Sequence, residues 1–225
     1  NWNAGKQLVE VVLSISKYHH GLVSSVIIVD NASTDDSLAQ VNSLKKIPLQ
    51  LKIIRNANNR GFGAACNQGA GLATSEYLLF LNPDTRLFEN SLSVSFAFME
   101  DKLNDKVGIV GIQLLDEQNH IACSCARFPT LVFFALQALG LNRLSILSHL
   151  NTHMLDWTHD ETRSVDHVIG AFYLMRRSLF NSLGGFDERF FVYLEDLDLS
   201  LRTSQAGYGS VYLADAQAFH AGGGT

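Results

Sequence analysis

Clustered positive charge is missing from this chain of 225 residues: 17 Lys and Arg face 22 Asp and Glu, for a formal net charge of −5. Nucleic-acid affinity rests on neutralising phosphates with grouped Lys and Arg, so a general phosphate-backbone binder is excluded. Cysteine is sparse as well. Cys66, Cys123 and Cys125 are an odd number with no secretory signature beside them, so a disulfide framework is not expected and a reducing cytoplasmic setting is. Cys123 and Cys125 lack the second pair that a zinc site needs, and their spacing reads as strand residues on one face. Long hydrophobic runs are also wanting. The stretch Leu131–Leu141 is broken by Gln137 and Gly140 and is too short to span a bilayer. It is expected as a helix packed on a sheet or at a subunit contact, with peripheral membrane association as the alternative.

What the chain does have is a hydrophobic fraction of 47%, enough to fill one α/β domain over residues 1–225. Apolar runs at 26–29, 51–54, 77–81 and 107–110 read as buried strands. Leu38, Val41 and Leu44 follow one helical spacing between them, and Leu92, Phe96, Met99 and Leu103 another. The alternation predicts an α/β fold with a mostly parallel sheet and helices on both faces. From about residue 112 it fades, leaving an irregular stretch to about 165 as a candidate acceptor-side insertion, before a strand-like run over 170–175. A polar turn over 1–5 leads into a helix carrying Leu8, Val12 and Ile15, and the chain stops in glycines after His220; a strand before residue 1 and a further C-terminal segment are therefore expected.

In such sheets ligands bind where strands end. Val29 is followed by Asp30-Asn31-Ala32-Ser33-Thr34-Asp35-Asp36, and Leu81 by Asn82-Pro83-Asp84-Thr85. Both also suit plain turns, with Ser33 or Thr34 as a helix N-cap. A carboxylate at Asp84 and an imidazole at His220 could hold a divalent ion that completes its shell with diphosphate oxygens. In the segment 184–202, a helix beginning near Glu195 would put Asp198 and Arg202 on one face and project Glu195 and Asp196 from its first turn. The aromatic approach Phe190-Phe191-Val192-Tyr193 would shield a carboxylate there and raise its pKa toward that of a useful base.

Taken in order, Asn1-Trp2-Asn3, Val29 to Asp35, Asn59-Arg60-Gly61-Phe62 with Asn67, Asn82-Pro83-Asp84, Gly170-Ala171-Phe172, Gly184 to Glu188, Glu195 to Leu199 and His220 resemble the family 2 glycosyltransferases, in particular their rhamnosyltransferase-like branch. The resemblance runs nearly the whole chain and implies a GT-A fold, a Rossmann-like nucleotide-binding sheet joined to an acceptor-binding half. It implies an inverting transfer of a sugar, L-rhamnose among the options, from a nucleoside-diphosphate donor (dTDP or UDP) to a saccharide or lipid-linked saccharide, as in bacterial surface polysaccharide synthesis. By the same resemblance, Asp30, Asn31, Asn59, Arg60, Gly61, Phe62, Asn82, Asp84, Gly170 and Ala171 bind the donor. Asp84 and His220 hold Mg²⁺ or Mn²⁺, Asp196 is the base, and Glu195 and Asp198 orient the acceptor. Asn82 stands where the family's metal motif has its first Asp, and His167 where many relatives carry Trp. Two rivals share the fold: a sugar nucleotidyltransferase, which should show a glycine-rich phosphate loop where Asn1 to Lys6 shows none, and a non-catalytic nucleotide-sugar-binding module, which retention of Asp84, Asp196 and His220 disfavours.

Overall fold

A computed structural model describes residues 1–139, 152 and 154–222. Its elements are α1 (Gln7–Tyr18), β1 (Val26–Asp30), α2 (Ser37–Asn42), β2 (Leu51–Arg55), α3 (Phe62–Gly71), β3 (Tyr77–Leu81), β4 (Thr85–Leu87), α4 (Asn90–Glu100), a 3₁₀ turn (Lys102–Asn104), β5 (Val107–Leu115), β6 (Cys125–Ala126), α5 (Leu131–Ala138), β7 (Arg163–Val165), β8 (His167–Val168), β9 (Phe172–Arg176), α6 (Arg177–Ser182), α7 (Glu195–Gln205) and β10 (Gly209–His220).

The four apolar runs form strands because each is a short stretch of β-branched and large apolar residues, β5 buried almost throughout and β2 only partly. Their pleat divides the core in two. Leu174 packs with Leu8, Val12, Leu92 and Met99 of α1 and α4, while its neighbours Tyr173 and Met175 pack with Phe180 and Leu199 of α6 and α7. Helices thus cover both faces, as expected.

The pairing is mixed rather than mostly parallel. β1 pairs β2 in parallel and β10 pairs β5 in parallel, but β9 runs antiparallel to both β3 and β5, and β4 and β7 antiparallel to β10. β9 begins where β3 ends, with Phe172 opposite Leu81, so the turn before β9 lies beside the turn after β3. That reversal brings two site segments together, and apolar periodicity carries no information about strand direction. β10 changes register between Leu213 and Gln217; its first part lies between β5 and β7, its second between β5 and β4.

Other expectations shift locally. Leu44 falls beyond α2, and Leu103 sits in the 3₁₀ turn at 91% exposure, because the helix period ends with Glu100. α2 takes neither Ser33 nor Thr34 as its cap. Asp35 instead accepts from the backbone and side chain of Ser37, while Ser33 accepts from Asn1 and Asn3. Cys125 is buried in β6 but Cys123 is exposed and outside it, so they do not share one strand face. α5 has no buried residue, with Leu131 at 88% and Leu139 at 72% exposure, and so does not pack on the sheet; the rest of that run, from Gly140, lies outside the described residues. Among the described residues no helix is long and apolar enough to cross a membrane.

Candidate active site

A cavity of about 1950 Å³ runs from the gap between β1 and β3 to the carboxyl ends of those strands. Asn31, Asn59, Gly61, Phe62, Asn82, Asp84, Gly170, Ala171, Asp196 and His220 all line it, so residues separated by as much as most of the chain converge there.

The donor side is built by backbone locks. Asn31 closes β1; its Nδ2 donates to the Gly61 carbonyl at 3.1 Å, and its Oδ1 accepts from Asn56 at 2.8 Å. Asn59 Oδ1 accepts from the Gly61 N–H at 2.9 Å, and the Phe62 N–H donates to the Phe191 carbonyl at 3.0 Å. Gly61 has φ +85°, and a Cβ there would collide with the Phe191 carbonyl oxygen. Two expected donor residues stand apart from the cavity. Asp30 is buried, with its carboxylate accepting from Asn1 Nδ2 at 2.7 Å and the Ser33 N–H at 3.3 Å. Arg60 points outward, 3.5 Å from Glu188.

After β3, the Asn82 N–H donates to the Ala171 carbonyl and Thr85 caps the Asn82 carbonyl at 2.6 Å. Asp84 is thereby held in the turn between β3 and β4, and His220 ends β10 opposite Thr85. Asp84 Oδ1 lies 3.4 Å from His220 Nε2 and, although buried, accepts no hydrogen bond in favourable geometry. A buried carboxylate oxygen without a donor, facing an imidazole nitrogen, fits a divalent cation. Among the described residues no third His, Cys, Asp or Glu joins them.

The opposite wall is the first turn of α7. Asp196 Oδ2 accepts from the Gly170 N–H and Oδ1 from the Leu197 N–H, each at 2.8 Å. Gly170 permits this approach, since a Cβ there would sit 3.2 Å from Asp196 Oδ2. The Gly170-Ala171 dipeptide therefore touches Asp196 through one residue and Asn82 through the next.

Glu195 and Asp198 both line the cavity, in different settings. Asp198 is engaged by Arg202, Nη2 to Oδ2 2.6 Å, one helical turn away. Glu195 is 5% exposed, lies against Gly63 of α3, and has no partner for Oε2. Its burial, reinforced by the Asp196 charge, pushes its carboxyl up to about 7. The raised carboxyl is thus Glu195's. The aromatic approach does not supply the shielding, because Phe191 and Tyr193 are exposed and α3 does the burying. A carboxyl raised from 4.5 to about 7 on folding carries no penalty below the unfolded value and destabilises increasingly as pH rises through about 7. Glu195→Gln is expected to raise Tm at pH 8 by the equivalent of about 2 kcal/mol and to change it little below pH 4.5, as paired thermal melts would show.

Sequence reasoning noted His167 only as a departure from its relatives and missed the Ser200 and Tyr173 groups joined to it. His167, Ser200 and Tyr173 are buried and hydrogen-bonded in a row. Ser200 follows Asp196 by four residues on α7, and that spacing was the available signal.

The family profile for glycosyl transferase family 2 matches residues 1–122, and that for glycosyl transferase family group 2 matches residues 77–224. The N-acetylglucosaminyl-diphospho-decaprenol L-rhamnosyltransferase of Mycobacterium tuberculosis is 27% identical over 213 residues, covering 87% of this chain and 66% of that protein. Rhamnosyltransferase WbbL of Escherichia coli (strain K12) is 34% identical over 154 residues, covering 66% of this chain and 52% of its own. The chain thus spans between about half and two thirds of these two relatives. Mannosyltransferase PcManGT from Pyrobaculum calidifontis, solved with GDP-Man and Mn²⁺, superposes with a TM-score of 0.66 at 20% identity over 98% of this chain and 55% of that one, a likeness of fold.

Proposed function

This chain belongs to glycosyl transferase family 2, and on that premise we propose that its cleft carries out an inverting, metal-dependent transfer of a sugar from a nucleoside-diphosphate donor to a saccharide hydroxyl. The observation that carries the reading is the Gly170-Ala171 dipeptide, hydrogen-bonded to Asp196 on one side and to the Asn82 turn that presents Asp84 on the other. A base and a diphosphate anchor thereby flank one pocket floored by small residues, which leaves room for a sugar between them.

Asn31, Asn59, Gly61 and Phe62 receive the nucleotide at the carboxyl end of β1, where such sheets bind ligands. Asp84 and His220 would hold a Mg²⁺ or Mn²⁺ ion beside the donor diphosphate. The ion, when bound, offsets the negative charge that develops on the departing diphosphate. Asp196 accepts the proton of the acceptor hydroxyl as that oxygen bonds to the anomeric carbon on the face opposite the diphosphate. The anomeric carbon–oxygen bond to phosphate breaks, the nucleoside diphosphate leaves, and the configuration inverts.

The relatives named for rhamnosyl transfer, one of them on a diphospho-decaprenol acceptor, support L-rhamnose as the sugar and a lipid-linked saccharide of bacterial polysaccharide synthesis as the acceptor; dTDP and UDP are the carriers to compare. The apolar surface of α5 and of residues 190–194 borders the same cavity and suits an acceptor delivered at a cytoplasmic membrane face. Calorimetry of dTDP and of UDP, with and without Mn²⁺, tests the reading. Metal-dependent binding that Asp84→Ala weakens at least tenfold is expected; metal-independent or absent binding to the folded chain would overturn it.

A further inference from the structure

Beside Asp196 a buried polar row starts at the cavity wall with His167 and runs inward to Ser200 and Tyr173. His167 opens β8 at 5% exposure, with Nε2 3.7 Å from Asp196 Oδ2. Its Nδ1 is 3.0 Å from Ser200 Oγ, and the Tyr173 hydroxyl is 3.0 Å from that same oxygen. Tyr173 and Ser200 are fully buried, so water cannot complete their hydrogen bonding.

Two proton arrangements are open to this row. If the ring carries its proton on Nδ1, it donates to Ser200, Ser200 donates to Tyr173, and the tyrosine proton is left buried without an acceptor. The Nε2 lone pair then faces a carboxylate. If the proton is on Nε2, Tyr173 donates to Ser200, Ser200 donates to Nδ1, and the Nε2–H faces Asp196. The second arrangement leaves no donor orphaned and opposes no lone pairs, and each unpaired buried group avoided is a substantial gain. Burial holds the imidazole below its usual range against the pull of Asp196 and Asp166, so the ring stays neutral and donates from one fixed tautomer. Burial likewise keeps the Tyr173 phenol protonated.

We propose that His167 is a positioning residue for the base, an Nε2–H donor locked by Ser200 and Tyr173 that aims the Asp196 carboxylate into the cavity. The inference rests on the reading of Asp196 as the proton acceptor. It gives His167 a role where the Gly170 and Leu197 N–H groups hold the carboxylate only from the backbone. The 3.7 Å separation closes to a hydrogen bond when substrate fills the cleft, since such contacts are commonly long before binding. The ionisable groups acting on this row are Asp166 beside His167, Asp198 and Arg202 toward Tyr173, and Glu195 and Cys66 beside Asp196.

Two measurements decide it. Long-range ¹⁵N–¹H spectra of histidine-labelled chain, with His167 assigned from its loss in His167→Phe, should show the neutral Nε2–H tautomer from pH 6 to 8. Ser200→Ala should release it into tautomer exchange. An Nδ1–H ring, or an imidazolium over that range, overturns the proposal without reference to turnover. With dTDP-L-rhamnose and a synthetic lipid diphosphate-linked N-acetylglucosamine, His167→Phe should lower kcat roughly 10- to 100-fold, the scale of one hydrogen bond to a charged group. It should leave donor KM unchanged and move the acid limb of the kcat profile to higher pH, with partial recovery in His167→Gln. A fall in Tm with the acid limb unmoved, in this variant or in Ser200→Ala should the first not fold, overturns the positioning role. Asp196→Asn separates the two levels: full activity there sinks the base assignment itself, whereas an inactive Asp196→Asn beside a normal His167→Phe sinks only the inference about His167.

Discussion

Asp196→Asn is expected to lower kcat for sugar transfer by roughly 10²- to 10⁴-fold while leaving nucleotide affinity within about twofold, because general-base catalysis contributes on that scale and the donor is held elsewhere. The substitution is nearly isosteric. Asn Oδ1 can still accept one of the two backbone N–H groups, from Gly170 or from Leu197, that Asp196 now receives, so the first turn of α7 keeps its path. What disappears is the capacity to take a proton. Steady-state turnover and nucleotide calorimetry on one preparation distinguish this from misfolding, and unchanged kcat in a folded variant would remove Asp196 from the chemistry.

Gly61→Ala should be the most damaging single methyl on the donor side. The backbone there has φ +85°, and a Cβ would come within 3.1 Å of three Phe191 backbone atoms, the carbonyl oxygen among them. A non-glycine residue at positive φ costs about 1–3 kcal/mol, and a carbonyl cannot swing aside as a side chain can. Relieving the collision means breaking the Phe62 N–H to Phe191 O hydrogen bond that joins α3 to the segment before α7. The expected outcome is a Tm lowered by several degrees and nucleotide binding weakened at least tenfold, read by thermal melts and calorimetry. An alanine variant with parental affinity would show that the two segments separate without consequence for the donor.

Strand and helix positions were legible because burial leaves a mark at each residue: Tyr77 to Leu81 is apolar throughout since both its faces are covered. Direction and pairing leave no such mark, and the antiparallel return of β9 became visible only in three dimensions. For the site, local chemistry permitted plain turns at Asp30 and at Asp84, and only the order of motifs along the chain singled them out. Even then it assigned roles by position rather than by surroundings. Asp30 and Arg60 are occupied away from the cavity, and Glu195 is pressed against α3. The row from Tyr173 to His167 draws on β8, β9 and α7 at once, a meeting that no local pattern specifies.

His220 reaches Asp84 because β10 resumes its ladder at Gln217 after the break that follows Leu213. Side chains alternate along a strand, so the break sets phase: it decides whether an imidazole or a phenyl ring arrives opposite β4 on the cavity side. The residues from Ala214 to Ala216 therefore act as a spacer of counted length. Their chemistry can vary provided they pack, but one residue more or fewer would turn Phe219 inward and His220 away, separating the imidazole from Asp84 while leaving every residue of the motif in place.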